Sequence, residues 1–171
     1  MVSIGLLLLR VVVGLMLAAH GAQKLFGWFE GPRIEGFAGM LEKMGVRPSR
    51  PHALMTGLAE FLGGLAVAAG FLTPIGNFAA IGVMLVAMWM VHRRNGFFNS
   101  KGGVEFPLLI AGSMLALAFT GPGTWSLDHL FGIRLPEPAT WMVMVILVVL
   151  GIVSALFGGR VFAGARQPQT A

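Results

Sequence analysis

Two histidines, two carboxylates and two cations stand inside or beside runs of residues that hydrocarbon would otherwise accept. They are His20, His92, Glu60, Glu105, Arg10 and Lys24, with Asn77 a further polar group in the same setting. A charge near the bilayer centre costs roughly 3 kcal/mol or more, so such groups usually face a bundle interior and mark a functional site. Histidine and a buried carboxylate both titrate near neutral pH when shifted, which suits them to proton transfer. His20, Glu60, His92 and Glu105 are therefore the candidate catalytic residues. A quinone or phenol would use such groups as donors and proton carriers at its oxygens, with an apolar slot for its ring and tail. Arg10 and Lys24 would bind substrate, and Met84, Met88 and Trp89 would line the slot.

The spacing places these residues on helix faces. Arg10, Val13, Gly14, Leu17, Gly21 and Lys24 follow steps of three and four, and Gly14 and Gly21 permit a neighbouring backbone to approach closely. Gly57, Glu60, Gly64 and Val67 make a second stripe, Asn77, Ile81, Met84, Met88 and His92 a third, and Glu105, Leu108, Leu109 and Gly112 a fourth. By depth, His20, Lys24, Glu60, His92 and Glu105 gather toward one membrane face. Arg10 lies higher, and its long side chain is expected to reach down toward Glu60.

Each residue also has a purely structural reading. Arg10 with Glu60 would be a buried pair fixing helix register. The histidines would bond backbone carbonyls, and Lys24 would snorkel to headgroups. Glu105 would favour a helix N-terminus, Asn77 would cap one, and the methionines would simply pack. The functional reading rests on the coincidence of all of them on four helices.

The elements that carry these groups follow from composition. The 171-residue chain is 56% hydrophobic and 11% charged, with a mean hydropathy of +0.82. An ordinary soluble domain is about 25% charged, so the bilayer must be the solvent here. Five spans are expected: Ile4–Ala22, Ala53–Leu72, Ile75–His92, Val104–Thr120 and Ala139–Phe157. Breakers fall at their ends, as at Thr73-Pro74, Gly121-Pro122-Gly123 and Gly158-Gly159. Within the long first connection, Ile34, Phe37, Ala38, Leu41 and Met44 recur at helical spacing. An amphipathic helix over about 34–45 is expected to lie in the interface and cap the bundle. The domain reading is a core over 1–130, a loop and fifth helix over 131–159, and a disordered tail over 160–171.

The net charge of +5 is arranged around the spans, which points to lipid headgroups and not to nucleic acid. Lys24, Arg33, Lys43, Arg47, Arg50, Arg93, Arg94, Lys101, Arg160 and Arg166 fall on one side, and Arg134 on the other. Basic residues collect in the cytoplasm, so the expectation is an N-terminus outside and a C-terminus inside. Met1-Val2-Ser3 lacks the positive start of a signal peptide, so the first run is expected to stay as a helix.

The chain has no cysteine, which excludes disulfides, thiol catalysis, thiolate metal sites and iron–sulfur clusters on this chain. No metal site is assigned. Haem would have only His20 and His92 as axial ligands and is not expected. The Gly63-Gly64 pair lies inside a span and is no dinucleotide fingerprint. A quinone is the cofactor the pattern admits, with its identity left open.

Several segments carry a resemblance. His20-Gly21-Ala22-Gln23-Lys24-Leu25-Phe26-Gly27, Ala59-Glu60-Phe61-Leu62-Gly63-Gly64 and Asn95-Gly96-Phe97-Phe98 resemble the DoxX family of bacterial membrane proteins. So do Glu105-Phe106-Pro107-Leu108-Leu109 and Gly121-Pro122-Gly123 followed by Ser126-Leu127-Asp128. The resemblance covers about Ile4 to Leu130 and implies an all-α, four-helix transmembrane bundle, to which this chain adds a fifth C-terminal helix. It further implies an inner-membrane protein labelled an oxidoreductase and linked with quinones, thiosulfate oxidation or redox defence beside soluble partners. Residues that look like the family's pattern are Arg10, His20, Lys24, Glu60, His92, Glu105 and Asp128.

Three functions compete at this point. The first is a quinone- or phenol-interacting redox protein whose electrons come from a partner or a diffusible substrate. The second is a non-enzymatic scaffold recruiting soluble redox proteins to its basic cytoplasmic surface. The third is a small proton-coupled transporter, for which a homodimer would supply the missing repeat.

Overall fold

The computed structural model describes residues 1–164, and side-chain surroundings through Phe157. The helices are α1 (Val2–Phe26), α2 (Arg33–Lys43), α3 (Ser49–Ala69), α4 (Thr73–Ala87), α5 (Glu105–Thr120), α6 (Leu127–Leu130) and α7 (Ala139–Gly164). Among the described residues there is no strand. Among the described residues, four helical stretches are long and apolar enough to cross a membrane: Val2–Phe26, Ser49–Ala69, Thr73–Asn95 and Ala139–Phe157. The apolar α5 is shorter, at 16 residues. The molecule is an all-α, multi-pass membrane protein. Helix α7 continues to Gly164, past the expected break at Gly158-Gly159. The rest of the expected tail, residues 165–171, lies outside the described residues.

Helices α1 and α3 lie backbone to backbone. A Cβ on Gly14 would stand 2.6 Å from the Gly64 carbonyl oxygen, and one on Gly64 would stand 2.5 Å from the Ala18 nitrogen. Gly21 meets the Phe61 backbone in the same way. Small residues at these crossings replace side-chain volume with direct backbone contact, the usual way helices adhere in lipid. Beside this seam, Val13, Leu17, Val67, Ala80, Met84, Ile110, Met114 and Leu117 form the core shared by α1, α3, α4 and α5.

Helix α2 buries Phe37, Ala38 and Leu41 against Val46 and Ala53, with Met90 beside them. It thus lies across one end of the bundle. Helix α7 packs outside the four-helix core, along α4. Its contacts include Val148 over Gly82, and Trp141 edge-on to Phe78 at 5.5 Å between ring centres.

The opposite end is closed by α6. Asp128 Oδ1 accepts the Leu72 N–H at 2.7 Å, and its Oδ2 accepts the Thr73 N–H at 2.9 Å and the Thr73 hydroxyl at 2.6 Å. A helix start has unsatisfied N–H groups and a partial positive charge, so a carboxylate from α6 both caps and anchors α4.

Candidate functional site

The candidate residues divide between the two ends of the bundle. At the α2 end, Lys24 of α1 donates to both carboxylate oxygens of Glu60 on α3. Glu60 is 1% exposed. Close crossing at Gly21 and Gly57 brings their helices near enough for this pairing. The Lys24 ammonium also sits 5.1 Å from the centre of the Phe37 ring, so α2 contributes to holding it.

The pair lies on the wall of a cavity of about 440 Å³ lined by α2, α3, α4 and α7. Its other polar contributors are His52, Thr56 and His92. The remaining wall is Phe, Met, Val, Leu, Ile, Ala and Gly, including Phe37, Leu41, Met90, Leu147 and Gly151. A largely apolar space of this size with a few convergent polar groups is the usual form of a small-molecule site.

His92 reaches the cavity through a local change of helix. Residues Met88–His92 form a π turn, followed by a 3₁₀ turn over Arg93–Asn95. An unbroken 3.6-residue period puts His92 on the face of Met84 and Met88. The wider π turn rotates it toward the cavity-lining face of Val83, Ala87 and Met90. His92 Nδ1 donates to the Gly102 carbonyl at 2.7 Å. In the neutral ring this leaves Nε2 as the acceptor.

The structure corrects several expectations. Arg10 does not pair with Glu60. It is wholly buried, and its guanidinium donates to the Trp125 carbonyl beside Gly70, with Asp128 within electrostatic reach. Gly70, which caps the end of α3, stands ten positions beyond Glu60, about 15 Å along the helix. Met84 is in the four-helix core, and neither it nor Met88 lines the cavity. Trp89 is 55% exposed with Arg93 over its ring at 4.3 Å. The slot is instead formed by other methionines, Met40, Met44, Met55, Met90 and Met144.

His20 lies off the cavity, its ring 5.3 Å from that of Phe106. Glu105 is also outside it, and its Oε2 accepts the Asn99 N–H at 2.8 Å and so folds the Gly96–Gly103 loop onto α5. Of the four candidate catalytic residues, the structure brings Glu60 and His92 to one cavity, with Lys24 beside them. Asn77 is buried in α4 with both side-chain polar atoms unpartnered.

Three polar residues escaped the sequence reading: Thr56 on the cavity wall, His52 and Ser154. His52 Nε2 and Ser154 Oγ are 3.0 Å apart, linking α3 to α7, while His52 Nδ1 donates to the Pro48 carbonyl at 2.7 Å. Ser154 carried a signal, being a polar residue inside the apolar run of α7. A second depression of about 630 Å³, on the outer side of α3 and α4, is lined only by apolar side chains and glycine.

Comparison with known proteins agrees with this architecture. The DoxX family profile matches residues 5–93. The chain is 33% identical over 130 residues to inner membrane protein YqjF of Escherichia coli, covering 75% of this chain and 92% of that one. It is 28% identical over 142 residues to the uncharacterized membrane protein Rv3486 of Mycobacterium tuberculosis, covering 77% and 82% respectively. No solved structure matches.

Proposed function

This chain belongs to the DoxX family of bacterial membrane proteins, and on that premise we infer that it binds a quinone or related phenolic compound in the α2–α3–α4–α7 cavity. The role is that of an oxidoreductase component in redox defence or respiration at the inner membrane. The observation that carries the reading is the buried Lys24–Glu60 pair on the wall of an otherwise apolar cavity that His92 also lines. The residues present fit such a ligand, with an apolar wall for ring and tail and charged or titratable groups for oxygens. A bound quinone would supply two-electron, two-proton redox chemistry.

The chain's own residues would handle position and protons. Lys24 donates hydrogen bonds, and Glu60 holds the lysine in place and accepts a proton. His92, with Nδ1 committed to Gly102, offers Nε2 as a second proton acceptor. The electrons come from a soluble redox protein on the cytoplasmic side or from a diffusible substrate and reduce the quinone to the hydroquinone, which takes up two protons. Glu60 and His92, having accepted protons from the aqueous side, pass them to its oxygens. The basic residues Lys24, Arg33, Lys43, Arg47, Arg50, Arg93, Arg94 and Lys101, set around the α2 end of the spans, support a cytoplasmic placement of that end with the N-terminus outside.

The scaffold alternative draws on the same basic surface. Its arginines are partly engaged within the chain, Arg50 with Glu35 at 3.1 Å and Arg47 with Glu42 at 3.5 Å. Quinone analysis of lipid extracts from purified protein, joined to thermal melting with added quinones, tests the binding reading. Bound quinone and a raised Tm are expected. Their joint absence removes the basis of the reading.

A further inference from the structure

We propose that the cavity is loaded sideways from the bilayer, through the seam between α3 and α7, and that the His52–Ser154 hydrogen bond is the tie across that entrance. The proposal deepens the preceding reading and rests on it for the identity of the occupant. It makes that occupant a membrane-dissolved amphiphile with an apolar tail, not a solute taken from water.

Two observations set the direction of entry. The end facing the interface is mostly covered: Phe37 and Leu41 of α2 are buried over the cavity and pack with Val46 and Ala53, and of the α2 residues that line it Met40 alone is exposed, at 42%. The side is not. Met55 of α3 is a lining residue that is 63% exposed, and Leu147 of α7 is one that is 54% exposed. Both belong to apolar membrane-spanning stretches. Leu147 lies eight residues into α7, about 12 Å along the helix, well inside hydrocarbon. The uncovered rim therefore meets lipid.

A third observation concerns the tie. Helix α7 leans on α4, whereas His52 to Ser154, at 3.0 Å, joins it to α3. A serine hydroxyl has little to gain from lipid, but a hydrogen bond across a seam holds the wall of the cavity in place. One such bond is weak enough to open as a ligand passes. An apolar tail would remain in the seam while the polar head reached Lys24 and Glu60.

The natural chain has no cysteine, so Thr56→Cys puts a single thiol on the cavity wall. The full chain in lipid vesicles is treated with an uncharged alkyl maleimide dissolved in the lipid, or with a charged, membrane-impermeant maleimide in water. Each rate is normalised to that on the unfolded chain. The lipid-dissolved reagent should react several-fold faster. Adding Ser154→Ala should raise its rate further and leave the charged reagent unchanged, and His52→Ala should act in the same way. Equal or faster labelling from water overturns the proposal, as does a lipid-side rate that neither substitution alters. Labelling reports access and not quinone affinity. Lipid-side access without any quinone-induced Tm shift would uphold the entrance and refute the quinone reading.

Discussion

Lys24 grips both carboxylate oxygens of Glu60 beside the crossing where Gly21 brings α1 against the Phe61 backbone. The two partners differ in what they lose if separated. Glu60 is almost fully buried, while the lysine side chain keeps 20% exposure. An orphaned carboxylate would stay buried, whereas an orphaned lysine has a flexible stem with which to seek the interface.

That asymmetry predicts the order of damage. Lys24→Met should destabilise the protein by about 3–5 kcal/mol, the range for breaking a buried pair. Glu60→Gln should cost less, and the double variant should be less damaged than Lys24→Met alone. Denaturant unfolding in detergent checks this. Equal losses in all three would contradict the pairing.

Arg10 and Glu60 should behave as independent sites. Arg10 and Lys24 are 14 positions apart on α1, about 21 Å along the helix, and distant sites usually add within about 0.5 kcal/mol. Arg10→Met should therefore lower stability without altering quinone affinity, and its effect should add to that of Glu60→Gln. A large coupling energy in the double-mutant cycle would restore the direct pair.

Asp128→Ala should release the start of α4. Loss of an N-cap carboxylate costs about 1–2 kcal/mol, and amide exchange at Leu72 and Thr73 should accelerate before that at Ala80. Unchanged exchange at those two amides would mean that Asp128 does not hold the turn.

The glycines of α3 predict opposite signs. Gly64→Ala drives a methyl into the α1 backbone and should separate the two helices, with a large loss of stability. Gly63→Ala places its Cβ 3.6 Å from the Gly76 carbonyl oxygen, an ordinary contact. It should be neutral or stabilising by up to about 1 kcal/mol, because alanine suits a helix interior better than glycine. Equal effects would refute the close packing of α1 on α3.

Much of this arrangement is readable from residue order. Long apolar runs bounded by Gly and Pro mark the spans, and the i, i+3, i+4 pattern of Phe37, Ala38 and Leu41 marks the amphipathic helix. Gly14, Gly21, Gly57 and Gly64 mark the α1–α3 seam. Other features carry no such signal. Arg10 finds a main-chain carbonyl, at Trp125, and a carbonyl is the same for any residue. The Met84, Met88, His92 stripe assumes one helical period, and the π turn at Met88–His92 breaks it. Between Trp141 and Phe157, helix α7 has Ser154 as its one polar residue, so apart from that position its sequence does not say which face walls a cavity. Glu105 and His20 share the polar character of Glu60, but the loop and Phe106 engage them elsewhere.

Quinone binding beside Lys24, Glu60 and His92 is tested by a thermal-shift titration of the purified chain with a short-tailed quinone, alongside Glu60→Gln and His92→Ala. Ligand at about 100 times its Kd stabilises a one-site protein by about 2.7 kcal/mol. Binding in this cavity predicts a concentration-dependent rise in Tm for the natural chain that Glu60→Gln abolishes and His92→Ala reduces strongly. A natural chain that shows no rise, or variants that keep the full rise, would contradict it.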